Sequence, residues 1–97
     1  MTKIVLVTGG GRGIGAATAK LLARHGYDVA VNFQSNVMAA QKVVREIEAM
    51  GRKSIAVQGD VSWEADVLRM FGAVDEHMGP LWGLVNNAGI TGRIGRL

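Results

Sequence analysis

The chain has 97 residues, 48% of them apolar and 20% charged, with a net charge of +3 and no cysteine. That length bounds it to one small domain or part of one; it is too apolar for disorder, and without cysteine it forms neither disulfides nor thiolate metal sites. No apolar run approaches the roughly 20 residues that span a bilayer, and the basic residues Lys20, Arg24, Lys42, Arg45, Arg52, Lys53 and Arg69 are dispersed, not gathered into a nucleic-acid-binding face.

In chain order, "KIVLVT" (3–8) is a short β-branched run that reads as a strand and not as a signal peptide. A glycine-rich stretch follows, then a helix over about Gly13 to His25 with Ile14, Ala17, Leu21 and Leu22 on one side and Gly26 as its stop. "DVAVNF" (28–33) is the second strand. A second helix starts near Asn36, carries the stripe Ala40, Val43, Val44, Ile47 and Met50, and ends at Gly51. "SIAVQG" (54–59) is the third strand. Ser62 is the expected N-cap of a third helix, with Glu64 and Asp66 in its first turns and Val67, Phe71, Val74 and Met78 inward. After "GP" at 79–80 the run "LWGLVN" (81–86) makes a fourth strand.

Strands apolar on both faces and alternating with helices define an α/β fold, a doubly wound parallel sheet of Rossmann type. Its expected strand order is 3-2-1-4, with a ligand crevice where the order reverses, beyond the carboxyl ends of the strands. Residues 1–97 read as one domain, and "LWGLV" as a sheet edge without the charges or prolines that protect one. The expectation is therefore the N-terminal part of a larger fold.

"VLVTGGGRGIGAAT" (5–18) places five glycines between a strand and a helix start, where unpaired amides favour an anion. Gly9 can take a turn conformation closed to other residues, Gly13 admits phosphate to the main chain, and Gly15 lets the helix lie close to the sheet. A P-loop is excluded because Ala16 and Ala17 stand where Lys and Ser or Thr are required. G-x-G-x-x-G read from Gly9 fails at Ile14; T-G-x-x-x-G-I-G fits from Thr8 to Gly15.

That motif, with "GDV" at 59–61 and "NNAG" at 86–89, resembles the short-chain dehydrogenases/reductases over about residues 3 to 92. The resemblance implies that Gly9, Gly11, Arg12, Gly13, Ile14 and Gly15 line the pyrophosphate and adenosine ribose of a nicotinamide cofactor. Asp60 would accept from the adenine amino group beside the Val61 backbone. Asn87, Ala88 and Gly89 would follow the cofactor toward its nicotinamide ribose, while Asn86 ties the central strands together. Asn32 and Phe33, ending the second strand, complete the set. An NAD enzyme usually carries an acid at that strand end; here Asp28 lies at the opposite end, about 15 Å away at ~3.3 Å per residue. With Arg12 available to pair with a 2′-phosphate, NADP is expected over NAD.

The family's catalytic Tyr, the Lys four residues after it, the Ser and the Asn all lie beyond "NNAG". The one tyrosine here, Tyr27, has Val31 four residues on, so no catalytic residue is assigned. His25 and His77 stand near expected helix ends without clustered ligands, so no metal is expected; Trp63 and Trp82 read as packing residues, and Arg93 and Arg96 as a frayed end. The expected whole is a cytoplasmic homo-oligomer acting on a carbonyl compound or secondary alcohol, of which this chain is the cofactor-binding portion and inactive alone. The alternative is a non-catalytic nucleotide-binding or interaction module.

Overall fold

The computed structural model describes residues 2–87. It contains β1 (Ile4–Thr8), α1 (Gly13–Arg24), β2 (Asp28–Phe33), α2 (Val37–Ala49), β3 (Ser54–Gln58), α3 (Glu64–His77) and β4 (Gly83–Asn86). The four strands form one sheet in the order β3-β2-β1-β4, every pairing parallel. Val7 lies opposite both Val31 and Val85, so the strands end level and their carboxyl ends form a common rim.

Period-two alternation divides the apolar strand residues between two cores. Val5, Val7, Val29 and Val31 face α1 and α2, meeting Ala19, Ala23, Ala40, Val43 and Ile47. Ile4, Leu6, Ala30 and Val57 face α3 and its Met70 and Val74. Because β1 is buried along its whole length, its sequence shows no polar alternation.

Four expectations change at this level. On α1 the inward line is Gly15, Ala19 and Ala23, with Leu22 alone of the expected set packed partly against the core; Ala17 is exposed, Ile14 is 69% and Leu21 51% exposed. Ile14 and Leu21 marked the wrong side of this helix because its buried face needs small residues to approach the sheet. The N-cap of α3 is Trp63, not Ser62, whose amide and hydroxyl turn back to Asp60. Trp63 is largely exposed, and Trp82 is 58% exposed with only its flank against Tyr27, ring centroids 5.7 Å apart, and Lys3 Nζ over it at 4.6 Å. The other helix limits hold: Asn36 caps α2 by accepting from the Ala39 amide at 3.0 Å, and Met50 closes it as the C-cap, exposed instead of inward.

At the sheet edge formed by β4, Leu84 is half exposed. Among the described residues no helix is long and apolar enough to cross a membrane. Ala88, Gly89, Arg93 and Arg96 lie outside the described residues.

Candidate nucleotide-binding site

Between β1 and α1 the chain reverses at Gly9, whose φ of +61° is open to glycine and closed to most other residues. The reversal is pinned to the end of β2: the Gly9 amide donates to Asn32 Oδ1 at 3.0 Å, and the Gly10 amide to the Asn32 carbonyl at 2.9 Å. Gly11 packs on α2, where an added Cβ would lie 3.3 Å from the Ala40 amide nitrogen. Beside Gly13 a Cβ would meet nothing within 4 Å, so this stretch of main chain faces open space.

Gly15 acts differently from expectation. A Cβ there would fall 2.0 Å from the Gly9 carbonyl oxygen. The close approach is of the helix to the glycine turn itself, and the two are locked together by the missing side chain.

α1 begins on Arg12 with no side-chain cap and no acidic residue in its first turn. The opening amides of a helix have no acceptor within it and carry the positive end of its dipole. Here nothing from the side chains of that turn offsets them. They border a cleft of about 560 Å³ lined by Gly9, Gly11, Arg12, Gly13, Asn32, Phe33, Gln34, Ser35 and Asn36. A smaller hollow of about 180 Å³ adjoins it, lined by Gly9, Arg12, Ile14, Gly15 and Asn87. No carboxylate lines either cavity, and Arg12 lines both.

Thr8 joins the turn to the end of β4. Its hydroxyl donates to Asn86 Oδ1 at 2.8 Å and accepts from the Asn87 amide at 2.8 Å, so Asn86 ties the edge strand β4 to β1. This places Asn87 over the smaller hollow with its Nδ2 buried and no hydrogen-bond partner among the described residues. An orphaned buried donor costs about 1–3 kcal/mol, which a ligand oxygen in the hollow would recover. Open main chain at Gly13, the uncapped start of α1 and this waiting donor together fit a phosphate-bearing dinucleotide.

Asp60 and Val61 stand apart from these cavities. Asp60 Oδ1 accepts from the Ser62 hydroxyl at 2.6 Å and the Ser62 amide at 2.9 Å, and Oδ2 from Gln34 Nε2 at 3.1 Å. The Ser62 hydroxyl first, then its amide, hold the Asp60 carboxyl below the usual carboxylate range. Because the folded pKa is depressed, the benefit of these bonds is present above the ordinary carboxylate pKa and fades as pH falls through the lowered one. Ser62→Ala is expected to move the Asp60 pKa back up toward its ordinary value, which an NMR titration of the carboxyl carbon reads directly. Val61 lines a separate, mostly apolar hollow of about 170 Å³ on the α3 side, with Leu6, Met70 and Phe71.

Asp28, at the far end of β2, is buried and engaged by the Lys53 amide at 3.0 Å and Arg52 Nε at 3.6 Å, so it takes no part in the cleft. Sequence reasoning did not assign Gly10, Thr8, Gln34, Ser35 or Asn36 to the site. The polar run from Gln34 to Asn36, between a strand and a helix, was the available signal for the last three.

The fold agrees with the comparisons to known proteins. The family model described as short chain dehydrogenase matches residues 3–96, and the chain belongs to that family of oxidoreductases. It is 58% identical over 87 residues to the uncharacterized oxidoreductase YgfF of Escherichia coli (strain K12), covering 90% of this chain and 35% of that protein. Against the 3-oxoacyl-[acyl-carrier-protein] reductase FabG of Staphylococcus aureus (strain N315) identity is 48% over 91 residues, covering 94% and 37%. The crystal structure of acetoin dehydrogenase from Enterobacter cloacae superposes with a TM-score of 0.84 at 38% identity, covering 92% of this chain and 35% of that one. The chain thus spans about a third of the length of the relatives it matches. The family uses nicotinamide cofactors.

Proposed function

We propose that residues 1–97 form the NADP(H)-binding domain of an oxidoreductase that reduces a small carbonyl compound or oxidises a secondary alcohol. The observation that carries the choice of cofactor is the cleft at the end of β2, which is lined by Arg12 and by no carboxylate. A carboxylate at that place would repel a 2′-phosphate, whereas a guanidinium forms charge-assisted bonds to one.

When bound, the nicotinamide supplies or takes up the hydride. The protein's part in this span is to hold it: the opening amides of α1 face the diphosphate, Arg12 the 2′-phosphate, and Asn87 donates Nδ2 toward the nicotinamide half. Ile14 borders the same hollow, Phe33 walls the ribose side, and Asp60 with the Val61 backbone stays assigned to the adenine, now by way of a carboxylate that Gln34 must release. Ala88 and Gly89 continue the Asn87 segment in this reading.

Arg12→Ala is expected to weaken NADPH binding about tenfold or more while changing NADH binding less than about threefold. Fluorescence titration of both cofactors checks this, and wild-type protein that prefers NADH would overturn the choice.

The catalytic Tyr and Lys of this reading lie in further chain, within a complete enzyme that works as a cytoplasmic homo-oligomer. A cysteine-free composition fits a reducing compartment. The second reading is a non-catalytic nucleotide-binding module. The two readings separate on the full-length protein, where NADPH consumption with a simple ketone supports the enzyme and its absence despite cofactor binding supports the module.

A further inference from the structure

Asn32 is only 3% exposed, and both ends of its carboxamide are engaged by loops from two other strands. Oδ1 accepts from the Gly9 amide at 3.0 Å, in the turn after β1. Nδ2 lies 3.0 Å from the Gly59 carbonyl and 3.2 Å from that of Val57, at the end of β3. Backbone bonds fasten each loop separately to the end of β2, Gly10 N to the Asn32 carbonyl at 2.9 Å and Gly59 N to the Phe33 carbonyl at 3.0 Å. The side chain spans between the loops.

Two consequences follow for a dinucleotide. The Gly9 and Gly10 amides are already used, so an anion must be met by the amides that come after them, at the start of α1. Where those amides point is set by the Gly9 turn, and the carboxamide fixes that turn relative to the Gly59–Asp60 segment.

We propose that Asn32 is a positioning residue of the cofactor site, a brace that holds the phosphate-facing turn and the adenine-side loop at one fixed separation. This rests on the dinucleotide reading of the cleft. A preformed separation spares a ligand the cost of ordering two loops, so the brace acts on affinity without touching the cofactor's reacting end. Aspartate would keep the acceptor for Gly9 but set a carboxylate against two carbonyl oxygens, and serine is too short to span the loops.

The test uses full-length Asn32→Asp and Asn32→Ser without cofactor, followed by amide hydrogen exchange. The expected result is exchange about tenfold faster or more at Gly9, Gly10 and Gly59, with Leu6 and Ala30 in the strands within about twofold of wild type. NADPH affinity in the same variants is expected to fall about tenfold. Loops that exchange at the wild-type rate overturn the brace. So does acceleration shared equally by Leu6 and Ala30, or loss of folding in both variants, since either marks Asn32 as general core support. Wild-type protein that binds neither NADPH nor NADH removes the cofactor reading, while the exchange data still decide whether the two loops are braced.

Discussion

Gly15→Ala is expected to lower dinucleotide affinity about a hundredfold and to cost about 1–3 kcal/mol of stability. The added Cβ would sit 2.0 Å from the Gly9 carbonyl oxygen, 2.8 Å from the Gly9 carbonyl carbon and 3.0 Å from Gly10 Cα. Every one of these is a backbone atom, so no rotamer change relieves the clash. Nor is the turn free to retreat, because its Gly9 and Gly10 amides are bonded to Asn32. The start of α1 must therefore shift, carrying its opening amides out of register with an anion. A misplacement of about 1 Å is enough to cost two orders of magnitude where geometry is preorganised. Titration with NADPH and urea unfolding of the same sample measure both effects. Binding within threefold of wild type would show that the helix start does not set the affinity.

Ile47→Ala is expected to destabilise the fold by about 2–5 kcal/mol, a large fraction of the roughly 5–15 kcal/mol that holds a typical domain. Ile47 is fully buried on α2, in the core that also holds Val5, Val7, Val29 and Val31. Truncation there leaves a cavity between a helix and the middle of the sheet, where the backbone cannot collapse to fill it. Ile14→Ala serves as the contrast. Its side chain is mostly in water, and the change should stay within about 0.5 kcal/mol. Urea midpoints compare the two, and an equal loss at Ile14 would contradict the orientation of α1.

That contrast also marks where the sequence was legible. Strands were readable because β1 and β2 are buried on both faces and so appear as uninterrupted apolar runs; β2 begins and ends where its sequence places it. α2 was readable because Val43 and Ile47 are both large and inward. α1 was not, since its inward residues are Gly15, Ala19 and Ala23, and size-based periodicity passes over them. The α3 cap was misplaced because a Ser before two acids has the right local signature, while the Ser62 hydroxyl is drawn to Asp60 two residues back.

At the site, the glycine spacing named the turn and the chemistry it suits. Partnerships across the fold were hidden: Asn32 reaches Gly9 across 23 positions and Gly59 across 27, and the Thr8 hydroxyl meets Asn86 only in the folded sheet. Whether a polar side chain at a strand end greets a ligand or a neighbouring loop is decided by such distant pairings, and no local pattern encodes them.

The pairing of β1 with β4 bears on how the protein is made. Thr8 and Asn86 touch although 78 positions separate them, whereas β1, α1 and β2 are near neighbours in the chain. Contacts between distant positions form slowly because the intervening loop must first be closed. On the ribosome, the first three strands can assemble while one flank of β1 waits for a partner not yet synthesised. One edge of the growing sheet therefore stays unpaired along β1 until residues 83–86 have been made.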